Sequence, residues 1–151
     1  MDIRIDDLSG PEVKQILTEH LKDMFAASPP ECVFALDLDG LKKPNITFWT
    51  VWEGSQLLGC GALKVLDETH GEIKSMRTTS AARNKGIASN LLRHILDAAK
   101  QKGLNRISLE TGSQNFFAPA RKLYAKHDFT ECGPFSDYKL DPYSVFMTRS
   151  L

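Results

Sequence analysis

The hydrophobic pattern of the chain changes its period near residue 80, and this change restricts the possible folds more than any other feature. Residues 70–79 read as a strand. After a short polar loop, apolar residues return every three or four positions, as on one face of a long helix. These residues are Ile87, Ala88, Leu91, Leu92, Ile95, Leu96 and Ala99. A further strand follows over residues 106–111, and such a strand–helix–strand unit predicts at least one parallel strand pair.

Strand patterns also flank this unit on both sides. Residues 46–53 and 57–66 are rich in β-branched, aromatic and apolar side chains and are separated by a turn, which predicts a hairpin that continues into the strand at 70–79. Residues 2–6, 129–132 and 144–149 read as shorter strands. The sheet is therefore predicted to be mixed and mostly antiparallel.

Three further segments have helical patterns. Ser9 and Glu12 form a capping-box pattern before a helix whose apolar face carries Val13, Ile16, Leu17, Leu21 and Met24. A weaker helix is predicted over residues 31–41, and another runs from Pro119 to about His127. Gly103 is the expected end of the long helix. The predicted fold class is α/β (α+β), with six or seven strands and about four helices in a single domain, 1–151.

Composition narrows the choice of partners. The 151 residues include 19 basic and 19 acidic side chains, so the formal net charge is zero. Nucleic acid and anionic membranes both favour a basic surplus, so neither is expected as a partner. The N-terminus lacks the apolar stretch of a secretory signal, and the three cysteines are scattered. A cytoplasmic location is therefore expected.

The loop between the third strand of the meander and the long helix has the features of a phosphate site. The first N–H groups of a helix lack intrahelical partners, and the helix dipole places partial positive charge there. Gly86 would let a phosphate approach the backbone, and Arg83 and Lys85 add positive charge. The alternative is an ordinary solvated loop. A Walker A loop is excluded because Lys85 precedes Gly86 instead of following it. A dinucleotide-binding fingerprint is excluded because Gly59 and Gly61 do not stand at the start of a helix.

Two motifs in this order resemble a known family. Arg83-x-x-Gly86-x-Ala88 is similar to the Arg/Gln-x-x-Gly-x-Gly/Ala signature of the GNAT N-acetyltransferase superfamily. Residues 120–129, Ala-Arg-Lys-Leu-Tyr-Ala-Lys-His-Asp-Phe, resemble its later A-x-x-L-Y-x-x-x-G-F helix. Asp128 replaces the usual glycine, but aspartate tolerates the left-handed conformation better than most residues. The predicted element order matches over nearly the whole chain, and residues 134–138 and 141–147 are similar to a YsnE-like bacterial branch.

The resemblance implies acetyl-CoA as co-substrate and no metal. It assigns the CoA pyrophosphate to a loop made of Arg83, Asn84, Lys85, Gly86, Ile87, Ala88 and Ser89. The backbone of Met76 and Thr78 would bind the pantetheine arm, and the Met76 N–H would stabilise the developing oxyanion. The alternative for these two residues is plain strand pairing. Asn115 stands close to where relatives place a CoA-contacting asparagine, although it is equally suited to a turn.

The catalytic candidates are also implied by the resemblance. An alkyl ammonium has a pKa of about 10.4, so a base is needed near neutral pH. Glu72 lies eleven residues before Arg83, the separation seen for the general base of histone-type relatives. The alternative is an acidic residue without a catalytic task, as many relatives carry at this position. His70 is a second candidate, or else a solvated turn residue. Tyr124 matches the tyrosine placed near the CoA sulfur, where it would protonate the leaving thiolate; the alternative is a buried helix residue.

Arg77 occupies a strand position that is usually apolar or aromatic in the family. A cleft-facing arginine requires an anion. We expect it to bind a carboxylate of an amino-acid-like acceptor, or else to form a salt bridge with a neighbouring acid such as Glu110.

The function implied is transfer of an acetyl group from acetyl-CoA to a primary amine of a small molecule or peptide, by direct attack in a ternary complex. One alternative is a non-catalytic acyl-CoA-binding module or regulatory subunit. Another, a zinc deaminase, is suggested by His70-Gly71-Glu72 but lacks the Pro-Cys-x-x-Cys metal motif. A homodimer is possible, since many relatives pair.

Overall fold

The computed structural model describes all 151 residues and contains one seven-stranded sheet. Its strands are β1 (Asp2–Ile5), β2 (Ile46–Glu53), β3 (Gln56–Val65), β4 (His70–Thr78), β5 (Arg106–Gly112), β6 (Thr130–Cys132) and β7 (Ser144–Ser150). The order across the sheet is β1-β2-β3-β4-β5-β7-β6. Only β4 and β5 are parallel. The mixed, mostly antiparallel sheet predicted from the sequence is confirmed.

Four α-helices cover the sheet: α1 (Pro11–Ala27), α2 (Leu38–Leu41), α3 (Ile87–Gln101) and α4 (Ala118–Lys126). One face packs against α1 and α2 through a cluster that includes Val13, Leu41 and Phe48. The other face packs against α3 and α4 through a larger cluster that includes Ile95 and Tyr124. The two faces therefore have separate cores.

Helix α3 follows the sequence prediction closely. Six apolar side chains of its predicted stripe are buried in the larger core: Ile87, Leu91, Leu92, Ile95, Leu96 and Ala99. The chain leaves the helix through Gly103, whose φ is 86°. The Leu104 N–H donates to the Ala99 carbonyl at 3.1 Å, which satisfies one of the last carbonyl groups of the helix.

The start of α1 differs from the prediction. Gly10, not Ser9, is the N-cap, and no side chain caps the helix. The Ser9 hydroxyl instead donates to the Asp7 carboxylate at 2.6 Å. Pro11 is the first helical residue, and its lack of an N–H together with its fixed φ suits this position. The predicted capping box was therefore wrong.

The predicted helix over residues 31–41 was also wrong in extent. Only its last turn is α-helical, and a 3₁₀ turn at Pro30–Cys32 precedes it. The Asp37 carboxylate accepts from the Gly40 N–H at 2.8 Å, which starts α2 locally. Residues between the two turns are irregular because prolines upstream and this cap divide the segment.

Strands β4 and β5 separate soon after they meet. They pair over only three residues, from His70–Arg106 to Glu72–Ser108. Beyond that point β4 pairs with β3 alone and β5 with β7 alone. A β-bulge at Ser75, where φ is 55°, bends β4 at this point. The result is an opening between the two strands, which we call the cleft, bordered by residues 73–78 and 109–112.

Three findings bear on partners and cofactors. No helix combines the length and apolar character needed to cross a membrane. No group of three or more His, Cys, Asp or Glu side chains is arranged to hold a metal ion. Cys32, Cys60 and Cys132 are free thiols.

Candidate active site

The cleft has a volume of about 660 Å³ and is lined by strands, loops and helices from both ends of the chain. Its β4 wall includes Met76 and Thr78, and its β5 wall includes Glu110. Tyr124 enters it from α4. The sequence-predicted residues of β4, α3 and α4 therefore meet around one space.

The segment 83–89, which we call the phosphate loop, leads from β4 into α3. Asn84 and Gly86 both have positive φ, 64° and 77°, and Gly86 is the N-cap of α3. No side chain caps this helix, so its first N–H groups are free for a ligand. A Cβ placed on Gly86 would meet no protein atom within 4 Å, so the space beside it is open.

Six of the seven phosphate-loop residues line the cleft: Arg83, Asn84, Gly86, Ile87, Ala88 and Ser89. Lys85 is exposed and is not among the lining residues. The loop therefore presents mainly backbone N–H groups and the Arg83 side chain to the space, as a phosphate requires.

The free edge of β4 continues this arrangement. The Thr79 N–H donates to the Leu58 carbonyl of β3 at 2.9 Å. Because backbone groups alternate in direction along a strand, the N–H groups of Thr78 and Met76 point the other way, into the cleft. The buried Ser75 hydroxyl lacks a hydrogen-bond partner. A strand edge that is free in this way can bind an extended chain as an additional strand would.

Tyr124 is both a core residue and a cleft residue. It is 6% exposed and packs edge-on against Phe129, with ring centroids 5.7 Å apart. Burial, followed by the nearby charge of Glu110, raises the pKa of the phenol. The sequence offered two interpretations of Tyr124, a buried helix residue or a tyrosine that faces the acyl donor. Its position in the structure is consistent with both.

Glu72 lines the cleft and belongs to a buried hydrogen-bonded cluster. Its Oε2 accepts from the Tyr138 hydroxyl at 2.5 Å and from Lys74 Nζ at 3.2 Å. Lys74 Nζ also donates to the Tyr138 hydroxyl at 3.0 Å. The side chains of Glu72 and Lys74 are only 3% and 8% exposed. Each of these three side chains therefore contacts the other two, and we call them the Glu72–Lys74–Tyr138 triad.

The ring of Tyr138 is fixed by aromatic contacts. Its centroid lies 5.2 Å from Phe34, 5.0 Å from Phe135 and 5.5 Å from Phe146. Burial, followed by the Glu72 charge, raises the pKa of its hydroxyl, so this hydroxyl stays protonated as the donor to Glu72. The tail after β6 thus fixes the hydroxyl that contacts Glu72 and Lys74.

Glu110 stands on β5 two residues beyond the last β4–β5 pair, and it lines the cleft. It takes part in none of the three ion pairs of the protein. Burial raises its pKa to about 7, in spite of the opposing effects of the Ser144 hydroxyl and the Lys74 charge. A half-buried carboxyl that titrates near neutrality is typical of functional sites.

Arg77 forms an ion pair with Asp23 of α1, at 2.7 Å, rather than with Glu110. Its Nε is buried and has no hydrogen-bond partner. His20, one turn earlier on α1, is buried, and burial together with the Arg77 charge lowers its pKa to about 4. Arg77 and His20 both line the cleft.

Two other predicted residues lie elsewhere. His70 Nε2 is 2.6 Å from the Ser108 hydroxyl, and His70 does not line the cleft. Asn115 is exposed and does not line the cleft, although the 3₁₀ turn that it begins does so through Phe116 and Phe117. Asp128 has a φ of 70°, so the left-handed turn expected at this position is present.

Sequence reasoning missed Lys74, Tyr138, Asp23 and His20 as neighbours of the candidate residues. Lys74 is two positions from Glu72 on the same face of β4, which was a usable signal. Tyr138 and Asp23 come from segments 66 and 54 positions distant from their partners, and no local pattern links them.

A family comparison decides the wider identity. The model of the acetyltransferase (GNAT) family matches residues 13–129. The chain belongs to the GNAT family. It is 54% identical to the uncharacterized N-acetyltransferase YsnE of Bacillus subtilis (strain 168), over the full length of both. It is 50% identical to the uncharacterized N-acetyltransferase YedL of Escherichia coli (strain K12), over 99% of this chain and 94% of YedL.

A solved structure supports the same fold. The GNAT family acetyltransferase from Elizabethkingia anophelis with acetyl-CoA bound superposes with a TM-score of 0.69. Its sequence is 16% identical, and the alignment covers 99% of this chain and 97% of the solved chain. The GNAT chain described here is an acetyl-CoA-dependent acyltransferase, and these findings support acetyl transfer rather than a non-catalytic binding module.

Proposed function

We propose that this GNAT protein transfers the acetyl group of acetyl-CoA directly to the primary amine of a small molecule or peptide, with both substrates bound in the cleft. The observation that carries the proposal is the separation of β4 from β5, which leaves a strand edge leading to an uncapped helix N-terminus. The N–H groups of the strand edge suit an extended arm. The N–H groups of the helix N-terminus suit a phosphate.

The phosphate loop and the β4 edge would hold the acyl donor. The pyrophosphate would accept from N–H groups at Gly86, Ala88 and Ser89, with Arg83 nearby. The pantetheine arm would lie along Met76 and Thr78, and the Met76 N–H would donate to the thioester oxygen as charge develops there. Nothing in the geometry supports a direct role for Lys85 or Asn115, which lie outside the cleft.

Tyr124 would serve the leaving group. The carbon–sulfur bond breaks as the tetrahedral intermediate collapses, and the phenol supplies a proton to the CoA sulfur. Because burial raises the pKa of Tyr124, a lone phenolate is unfavourable there. The phenol must therefore regain a proton from the amine nitrogen in the same process, which leaves the neutral amide and free thiol.

The acceptor would approach from the side of α1. Arg77 faces the cleft with an unpartnered Nε, and Asp23 occupies only part of its guanidinium. We propose that Arg77 binds a carboxylate of the acceptor, which favours amino-acid-like amines. A bidentate arginine–carboxylate contact would fix the orientation of such a molecule.

The test is acetyl transfer from acetyl-CoA to a panel of amino acids, polyamines, aminoglycosides and peptides. Thiol release and the mass of the acetylated amine are both measured, with a reaction lacking amine as the control for hydrolysis. Acetylated product that depends on enzyme and amine supports the proposal. Tight CoA binding without product from any amine would favour a binding module instead.

Location and assembly belong to the same proposal. Three free thiols fit a reducing compartment, so we propose a cytoplasmic enzyme. A homodimer is proposed by resemblance to relatives, and light scattering of the purified protein would distinguish it from a monomer.

A further inference from the structure

An amine acceptor arrives mostly as an ammonium ion, because its pKa of about 10.4 lies well above neutral pH. Its nitrogen can attack the thioester only after losing a proton, so a base must lie in the cleft. Two carboxyl groups line the cleft next to Tyr124 and Lys74: Glu72 and Glu110. Their surroundings differ in ways that decide between them.

The Glu72 carboxylate is already engaged. One of its oxygens accepts both the Tyr138 hydroxyl and the Lys74 ammonium. The Lys74 charge is buried, and Glu72 is its ion-pair partner. Protonating Glu72 would leave that ammonium without its counterion inside the protein, which is costly. Glu72 is therefore suited to holding Lys74 and Tyr138 in place.

Glu110 has the opposite surroundings. No ion pair neutralises it, and it is part of the cleft lining at the point where β5 leaves β4. It is on the same face of the sheet as Glu72 and Lys74, since Ser108 pairs with Glu72 and side chains alternate along β5. Tyr124 is close enough for the two groups to influence each other.

We propose that Glu110, rather than Glu72, is the base that removes the proton from the ammonium group of the acceptor. The inference rests on the proposed acetyl transfer and assigns one step of it. The ammonium N–H bond breaks, its proton forms an O–H bond on Glu110, and the freed nitrogen lone pair attacks the carbonyl carbon. The second nitrogen proton leaves by way of Tyr124 to sulfur, and Glu110 returns its proton to water.

The titration of Glu110 agrees with this role. Burial raises its pKa from 4.5 to about 7, where a group both accepts and releases protons readily near neutral pH. The Glu72 charge raises this pKa and the Lys74 charge lowers it. The titratable and charged groups around Glu110 are Glu72 and Lys74 on β4, Tyr124 on α4, Cys32 near α1, and Tyr138 and Asp141 in the tail.

The experiment measures kcat/KM against pH for wild type, Glu110→Gln and Glu72→Gln, with the best amine of the panel. For wild type we expect kcat/KM to rise up to a pH of about 7, as Glu110 ionises, and to level off above it. Glu110→Gln should lose about 100-fold or more near pH 7. Its kcat/KM should not level off above pH 7 but should climb steadily with the fraction of free amine. Its deficit should shrink above about pH 9, where free amine becomes plentiful.

Glu72→Gln gives the discriminating result. Removing a negative charge beside Glu110 should keep the rise but move it to lower pH, since Glu72 raises the pKa of Glu110. If Glu72 were the base, Glu72→Gln would abolish the rise and Glu110→Gln would keep it, which would overturn the assignment.

Controls separate this inference from the proposed function. Glu131→Gln removes an exposed carboxylate on β6 and should behave as wild type. CoA affinity of Glu110→Gln, measured by calorimetry, should equal that of wild type, which shows a folded cleft. A wild-type enzyme that acetylates no amine would overturn the proposed function together with this step. An active wild type whose rise and levelling-off near pH 7 both persist in Glu110→Gln would overturn the role of Glu110 alone.

Discussion

The two ends of the cleft offer different kinds of binding group. The phosphate loop and the β4 edge present backbone N–H groups, held by a left-handed Gly86 and by the early parting of β4 from β5. The opposite end presents side chains: Glu72 and Lys74, which share Tyr138 as a partner, together with Glu110 and Arg77. The first end depends on the backbone conformation of one continuous segment. The other end depends on charged side chains that come from distant segments of the chain.

This difference explains how changes at each end should act. A backbone site tolerates many side chains but fails when the backbone cannot adopt its conformation. A side-chain site fails when a single charge is removed, because its buried partners lose their counterions. Substitutions at the two ends should therefore affect different measurements, and the following tests run from the largest expected effect to the smallest.

Gly86→Ala should weaken CoA binding by about 100-fold, which corresponds to about 2.7 kcal/mol. The new Cβ enters the open space beside the loop, where the pyrophosphate is proposed to lie. Gly103→Ala is the matched control: Gly103 also has a positive φ, 86°, and a Cβ added there would meet no atom within 4 Å, but it lies outside the cleft. Calorimetry measures the affinity, and equal CoA binding by the two variants would contradict the site.

Glu110→Gln should stabilise the fold at high pH. The pKa of Glu110 is raised from 4.5 in the unfolded chain to about 7 in the folded protein, so the stability it contributes is present below pH 4.5 and lost as pH rises through about 7. Glutamine does not ionise, so the variant should gain up to about 3 kcal/mol over wild type above that range.

Urea unfolding at about pH 4 and at about pH 8 measures this gain. At the lower pH the advantage of the variant should disappear, and Glu131→Gln should show none at either. A gain that is independent of pH would mean that Glu110 does not titrate as described. The result would show whether the ionised Glu110 carboxylate lowers the free energy of unfolding of the protein.

Tyr124→Phe should lower kcat by about 10- to 100-fold with little change in the KM of either substrate, because its hydroxyl acts only as the sulfur leaves. Tyr138→Phe removes the hydroxyl that contacts the cleft residues Glu72 and Lys74 and should instead raise the acceptor KM, since these two residues lose a shared partner. Steady-state kinetics with both substrates varied separates these effects. A Tyr124→Phe enzyme with wild-type kcat would remove the tyrosine from the reaction.

Arg77→Ala should raise the KM of a carboxylate-bearing acceptor by about tenfold, the loss expected for one charged hydrogen bond. The same amine with its carboxylate converted to an amide should show a much smaller change. The KM for acetyl-CoA should stay as in wild type. An unchanged KM for the carboxylate-bearing acceptor would mean that Arg77 serves only its ion pair with Asp23.

The same division between the two ends explains what the sequence could predict. The phosphate loop is continuous in the chain and directly follows a change of hydrophobic period, so its position and the helix after it are readable locally. The parallel β4–β5 pair follows from the same unit. Glu72 could be named as a candidate, but Tyr138 could not be identified as its partner, because 66 residues separate them.

The sequence predictions fail where a side chain has more than one available partner. The Ser9–Glu12 pattern fits a capping box, but the Ser9 hydroxyl bonds to Asp7 and Pro11 starts the helix. Arg77 was expected to meet Glu110 if it met an acid, and it pairs with Asp23 because α1 crosses that face of the sheet. Both outcomes depend on contacts that periodicity does not encode.

A crystal structure of the complex with CoA tests the central claim most directly. We expect the pyrophosphate against the N–H groups of residues 86–89, the pantetheine arm along Met76 and Thr78, and the sulfur beside the Tyr124 hydroxyl with Glu110 across the cleft. CoA bound on another surface, or a pantetheine arm that makes no hydrogen bond to the β4 edge, would contradict it.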